Sequence, residues 1–451
     1  MRKIFLYSLL LFLPFCATGQ EVLTLQRCKE MALKNNKQMA AAAKQTLSAT
    51  HIQKSLKANF FPNFKGYATN AFASIDTHLN LPGGNLPVFL PDATGAFAQG
   101  GFAYFPGIDL NLKIRNMLMA GIQVEQPLYM GGKIVAAYRM SKLGTEVSYF
   151  NEHLTASEVI LNTENAYALL VKAQEMQKVA ASYNNLLKEL MKVVKSANKH
   201  GLKPKNDVMK VQVKLNESEL AIRKAENARR LARMNLCHTI GKPLDTDLEI
   251  EACYPHVATN SYNDVATIND RPEYQMLDRK VELARQEVKI QRSELLPKVG
   301  VRGSFDYTNG MKLNDQKLFD SGGFAVMLNV SIPIFHFGEH TNKVRAAKAK
   351  LEQAVLEQAN LNEKMTLELT QAANNLDEAH LEAALSDRAL EQAAENREVS
   401  RKEYEAGLET LSDHLEAQAL WQQAYATQVD AHFQLYLQYV KYLKAAGKLN
   451  K

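Results

Sequence analysis

At 451 residues, with 23% charged and 8% aromatic side chains, the chain has the composition of a folded protein and room for two or three ordinary domains. Its net charge of +6 falls to about +4 once Arg2 and Lys3 are set aside with the N-terminal leader. That is too mild to argue for nucleic acid, and no RNA- or DNA-binding motif accompanies it.

The leader comes first in chain order. MRKIFLYSLLLFLPFCATGQ has a basic start, an apolar run from Ile4 to Phe15 and the small-residue site Ala17-Thr18-Gly19. This is a secretory signal, cleaved after Gly19 and too short to span a membrane as a stable helix. Cys16 offers a rival reading as a lipidated N-terminus, but Phe15 stands where a lipoprotein signal needs a small residue. Cys28, Cys237 and Cys253 are scattered, with no metal spacing and no disulfide framework. No run of 18 apolar residues follows the leader, so if the exported chain crosses a membrane it does so as a β-barrel.

The pattern then predicts a helix over Thr24–Asn59, strands around Phe64–Phe72 and Leu112–Leu128, a helix from Gly132 to His200, a break at Gly201–Pro204 and a helix over Asn206–Ile240. A linker, Pro243–Asn263, is expected at the equator. The order then repeats: helix Asp264–Leu295, strands Lys298–Thr308 and Phe324–Ile334, helix Glu339–Ala406 and helix Ser412–Ala446. The predicted domains are the signal at 1–19, a first repeat at 20–242, the linker at 243–263 and a second repeat at 264–451. Gly132–His200 spans on the order of 100 Å as a helix. Val208, Val211, Leu215, Ser218, Ile222, Ala225, Arg229, Ala232 and Leu236 alternate spacings of three and four, as a coiled coil requires.

The repetition is written in the residues. Gly201/Gly407, Leu202/Leu408, Asp207/Asp413, Gln212/Gln418, Pro127/Pro333, Gly132/Gly338, Gly241/Gly447 and Lys242/Lys448 all lie 206 apart. Pro62 and Pro297 lie 235 apart, so the first copy holds 29 more residues (235 less 206) between its proline landmarks. Such an ordered series marks an internal duplication. The surplus falls in LPGGNLPVFLPDATGAFAQGGFAYFPG, at about 79–107, which reads as a surface loop or pore constriction, its apolar character fitting contact with another surface partner equally well; its counterpart TNGMKLNDQKLFDSGG is short and polar.

The strands discriminate between function classes. Phe324, Val326, Leu328, Val330 and Ile332 alternate with Ala325, Met327, Asn329 and Ser331. Val299, Val301, Phe305 and Tyr307 alternate with Arg302, Ser304, Asp306 and Thr308, and Leu118, Ala120, Ile122 and Val124 with Gln123 and Glu125. About ten residues with one apolar and one polar face suit an outer-membrane barrel, its lumen lined by Gln123, Glu125, Arg302 and Asp306. A half-buried soluble sheet gives the same alternation, but export and the lack of transmembrane helices favour the barrel. Four strands cannot close around a lumen, so several chains must contribute. A non-channel envelope scaffold, a trimeric coiled-coil rod, explains the helices equally well but not these strands.

Enzyme chemistry finds no footing. HFGEH at His336–His340 is not the zinc-protease order and sits at a strand–helix junction, and no phosphate loop, dinucleotide fingerprint or nucleophile motif is present. No catalytic residue, metal or cofactor is expected.

The ordered set LTLQRCKEMALKNNKQM, QPLYMGGKIVAAY, GLKPKNDV, NDRPEY, LLPKVGVRGSFDY, SIPIFHFGEH and YEAGLETLSDHLEAQ resembles the TolC-type outer-membrane efflux proteins across essentially the whole mature chain. The resemblance implies an α+β membrane protein: a homotrimer with a 12-stranded β-barrel, four strands per protomer, in outer-membrane lipid, continued by a long α-helical coiled-coil tunnel through the periplasm. It further implies a periplasmic adaptor and a proton-driven or ABC-type inner-membrane pump as partners. The tip turns would fall at Gly201–Leu202 and Gly407–Leu408, the strand–helix junctions at Pro127, Gly132, Pro333 and Gly338. The periplasmic gate would comprise rings of Asp413 and Glu416, with Tyr404 and Asp207 in the tip network. One departure stands out: Glu409 occupies the place where some members carry an arginine, so an arginine-to-Asp207 latch is absent. Independently of the resemblance, three copies of Asp413 and Glu416 around a narrow opening would attract cations and repel anions; the alternative, merely solvated carboxylates favoured at a helix start by its dipole, is outweighed by the same setting of Asp207 in the first repeat.

Overall fold

The computed structural model describes residues 22–251, 254 and 267–449; the signal peptide, Cys16, Cys253 and much of the 243–263 linker lie outside them. Two units emerge, one of residues 51–142 and 283–352, the other of the described residues of 1–50, 143–282 and 353–451.

The first unit holds the strands. β1 (Asn63–Leu81), β4 (Ile108–Met130), β5 (Lys298–Leu313) and β6 (Gln316–Ser331) form one antiparallel sheet in the order β1-β4-β5-β6. β5 and β6 are joined by Asn314 and Asp315 with φ of 52° and 63°, the left-handed pair that a two-residue hairpin turn demands. The predicted strands at Phe64, Leu112 and Lys298 all run longer than expected. β6 stops at Ser331, short of Ile334, because Pro333 has no N–H to give the ladder.

One expectation is corrected. The Gly-, Pro- and Phe-rich insertion is not a loop but a hairpin of its own, β2 (Gly84–Pro91) paired with β3 (Phe97–Phe105). Val88, Phe89, Phe97, Phe102 and Tyr104 supply strand propensity. Asp92 builds the turn, its carboxylate accepting from the Thr94 and Ala96 amides at 2.8 and 3.1 Å.

The second unit is helical at its core. Among the described residues the α-helices are α1 (Leu25–Asn35), α2 (Lys37–Ala58), α3 (Lys133–Lys199), α4 (Lys205–Thr239), α5 (Pro272–Ser293), α6 (Glu339–Glu405) and α7 (Leu411–Ala445). α3 and α6 have 67 residues each, α4 and α7 have 35 each, as a duplication requires. The predicted Thr24–Asn59 helix is broken at Asn36, which is extended and whose side chain accepts from the Gln38 amide while donating to the Thr239 carbonyl. α5 begins at Pro272, eight residues later than expected, where proline's missing N–H costs nothing. No described helix is long and apolar enough to cross a membrane.

Its core joins the repeats. Cys28, Tyr167, Leu170, Leu236, Cys237 and Ile240 form one fully buried cluster. Buried Glu164 on α3 is held by Lys29 of α1 and by the Tyr436 hydroxyl of α7. A second cluster, with Tyr183, Leu187 and Val194 of α3, Val211 of α4, Tyr404 of α6 and Leu411 and Leu415 of α7, packs beneath the two helix–helix turns.

Candidate functional site

The pairing register sorts every strand residue onto one of two faces. Opposite residues share a face, so Asn63, Glu125, Arg302 and Met327 form one row, Lys65, Gln123, Ser304 and Ala325 the next, and Tyr67, Gly121, Asp306 and Gly323 the third. All four predicted lumen residues fall here, and they interact. Glu125 accepts from Arg302 at 2.6 Å and from Lys65 at 3.3 Å, while Asp306 accepts from the Ser304 hydroxyl at 2.7 Å and from the Tyr67 hydroxyl. A Cβ on Gly121 would lie 2.6 Å from the Asp306 carboxylate, so only glycine leaves Tyr67 and Asp306 room to meet. Lys65 and Tyr67 were missed from sequence, because β1 alternates weakly and its register appears only when β4 is beside it.

The opposite face is apolar: Phe64, Val124 and Val326 in one row, Ile122, Phe305 and Phe324 in another, with Val301 opposite Leu328 and Val299 opposite Val330. Phe324 is 76% exposed and Leu328 65%. Apolar area of this extent stays in water only at a cost of about 25 cal/mol per Å². The sheet also has two open edges, β1 and β6, each pairing on one side only. Its geometry asks for hydrocarbon on one face, water on the other and more strands at both edges.

At the junctions, Gly132 and Gly338 enter α3 and α6 with matching φ of 83° and 82°. Pro127 lies in β4 at a break in register with β5, whereas Pro333 lies past the end of β6. Glu294 ties this region together, accepting from Lys133 at 2.7 Å and from Lys298; those two ammonium groups hold its carboxyl down at about 2. His336 and His340 meet edge-on at 4.5 Å while Glu339 pairs with Lys343, and among the described residues no three His, Cys, Asp or Glu converge as metal ligands.

The two helix–helix turns share one backbone. Gly201 and Gly407 have φ of 71° and 76°, which an L side chain rarely adopts. In each, the glycine N–H bonds three residues back (Asn198, Tyr404) and the following leucine five residues back (Ala197, Glu403), which caps α3 and α6 identically. Leu202 and Leu408 are exposed at both.

Around this frame the sequence-predicted gate residues take different roles. Tyr404 is buried, with the Lys203 ammonium 4.9 Å from its ring centre; burial and then the Asp207 carboxylate push its phenol pKa up. Asp413 forms a capping box at the start of α7: the Thr410 hydroxyl accepts from the Asp413 amide, and the Asp413 carboxylate accepts from the Thr410 amide, both at 3.3 Å. Glu416, one turn on, is exposed.

Glu409 has a partner that sequence reasoning did not find. The Ser400 hydroxyl donates to its carboxylate at 2.6 Å, and Ser400 Oγ also lies 3.1 Å from His414 Nδ1. Since the single hydroxyl proton points to Glu409, Nδ1 must carry the imidazole proton and donate to Ser400. Nε2 is then an acceptor, meeting the Gln418 amide nitrogen at 2.7 Å. His414 is 4% exposed, its ring parallel to Tyr404 at 5.1 Å. Burial lowers its pKa below the usual 6.5, with Glu409 and Glu405 opposing and Arg401 assisting. The available signal was a histidine at the place of Val208 in the repeat.

With this geometry in view, comparison with known proteins shows what the chain is similar to. Residues 266–448 match the model of the outer membrane efflux protein family. That match takes in less than half of the chain, so it is the second repeat that is similar to the outer membrane efflux proteins. The chain is 23% identical over 314 residues to the alkaline protease secretion protein AprF of Pseudomonas aeruginosa, a match spanning 66% of this chain and 63% of AprF. Its fold is similar to that of the outer membrane channel CmeC of Campylobacter jejuni (TM-score 0.76, 19% identity, 94% of this chain and 85% of that one). It is also similar to the outer membrane protein VceC of Vibrio cholerae (TM-score 0.74, 16% identity, 94% and 96%). By name, AprF is a secretion protein, CmeC an outer membrane channel and VceC an outer membrane protein.

Proposed function

We propose that this chain is a TolC-type outer-membrane efflux protein, three copies of which close a 12-stranded barrel and form the outer-membrane channel of a tripartite efflux or type I secretion system. The observation that carries this reading is the four-stranded sheet with one apolar face, one polar face and unpaired edges at β1 and β6. Such a sheet is satisfied when β1 of one copy pairs with β6 of the next, which buries both edges and leaves Glu125, Arg302 and Asp306 facing a water-filled lumen. A secretion protein among the relatives and channels among the fold neighbours support the same reading. The protein supplies a passive path; a periplasmic adaptor and an inner-membrane pump, proton-driven or ABC-type, supply cargo and energy.

In this reading the helical turns form the periplasmic gate. Asp413 and Glu416, both exposed on α7, ring the mouth and select cations, and Tyr404 and Asp207 lie beneath them. The test is reconstitution of purified protein in planar bilayers. Stable cation-preferring conductance is expected, with the preference reduced in the Asp413→Asn/Glu416→Gln variant. Absence of conductance overturns the channel, and unchanged selectivity overturns the ring.

A further inference from the structure

The buried Ser400–His414–Gln418 cluster is not needed to build the turn it occupies. At the equivalent places of the first repeat, 206 residues earlier, stand Val194, Val208 and Gln212. Val194 is fully buried and Val208 packs against the same cluster, so an apolar pair does the packing there under an identical backbone cap. The second repeat instead spends four polar groups on a chain from Gln418 through His414 and Ser400 to Glu409, linking α7, α6 and the turn between them. It leaves Gln418 Oε1 buried without a partner. That oxygen is positioned to accept from Nε2–H if the imidazole takes a second proton and the amide turns over.

We propose that His414 is a proton-binding site that latches the second-repeat turn when neutral and releases it when protonated. The neutral ring satisfies every hydrogen bond it makes and stacks on Tyr404. A second proton places a cation in a site almost closed to water and turns the Gln418 contact from acceptance into donor–donor repulsion until the amide flips. The charged neighbours are known from each element packed there. α6 contributes Arg401 and Glu405, the turn Glu409, and the first-repeat turn Lys203 and Asp207, which reach His414 only through the Tyr404 ring. Glu409 offers the cation partial compensation through Ser400, which is why the site can be protonated at all.

The sign follows from burial. A histidine whose pKa is lower in the packed turn than when released stabilises packing above 6.5 and withdraws that support as pH falls through its lowered value. One proton per copy limits the response to about tenfold in the opening equilibrium per pH unit.

The latch rests on the gate reading for its effect on conduction, but its local chemistry does not, so the experiment has two arms. Amide hydrogen exchange across residues 398–420 of the full chain in detergent, between pH 8 and 5 and corrected for intrinsic exchange, is expected to show protection lost below 6.5. Glu409→Gln removes a charge that favours the protonated ring, so it should leave the onset near 6.5 and make the loss at low pH larger. The Ser400→Val/His414→Val variant, carrying the first-repeat residues, should stay folded and show no step. A step retained in that variant, or no step in the native chain, overturns the proposal. If the exchange step is present and bilayer open probability does not rise with acid, the proton site stands and the gate reading fails.

Discussion

The turns after α3 and α6 have one backbone and opposite chemistry. Both end a 67-residue helix on a left-handed glycine with the same pair of hydrogen bonds. Yet Lys203, Val208 and Lys210 in the first repeat face Glu409, His414 and Glu416 at the same places in the second. The outer faces diverge too. Lys192, Lys195 and Lys199 form an exposed stripe whose only internal anion is Glu189, whereas their counterparts Glu398, Arg401 and Glu405 neutralise one another. The difference teaches that a helix cap is a backbone device, fixed by one residue without a Cβ, and leaves the surrounding side chains free to take on separate work.

If that is so, breaking the shared part should hurt both turns alike. Gly201→Ala and Gly407→Ala should each cost about 1–2 kcal/mol, since a Cβ at positive φ is strained whatever space surrounds it. Hydrogen exchange of the flanking helix ends measures this, and a cost at one turn only would break the comparison. The next effect separates the turns. Thr410→Ala removes the capping box of α7 and should cost about 1 kcal/mol. Its counterpart Pro204 makes no side-chain cap on α4, so Pro204→Thr should instead stabilise that helix start by giving Asp207 the partner that Asp413 has. The smallest effect lies on the outer faces. Arg401→Gln should remove the partner of Glu405 and leave Glu398 only its longer pair with Lys402 at 3.9 Å, lowering protection of the last turns of α6 slightly, while Lys195→Glu should raise it slightly for α3. Both changes should vanish in high salt, which screens exposed charges.

Much of this was legible without coordinates, and the reasons differ by element. The 206-residue offset named both turns, because glycine at a helix end is dictated locally by φ. Alternation along β5 and β6 named Arg302 and Asp306 as facing away from the apolar residues, because a strand sends successive side chains to opposite faces. The insertion at 79–107 was misread as a loop because its glycines and prolines masked two short strands. Lys65 and Tyr67 were missed because β1 has little period of its own; only pairing with β4 assigns them a face. Asp413 was marked for its charge, and the structure adds a capping role that requires knowing where α7 begins.

By itself, then, the amino-acid sequence determined the duplication, the helix lengths, the two glycine turns and the amphipathic strands, all set by spacing within one segment. What only the tertiary structure decided was which residues meet across segments: Glu125 with Lys65 and Arg302, Asp306 with Tyr67, and Glu409 with Ser400 and His414. Glu409 shows why. Its departure from the expected arginine was plain in the sequence, but a carboxylate's partner is fixed by distance in space, and here that partner is a serine nine residues before it, brought close by the turn at Gly407.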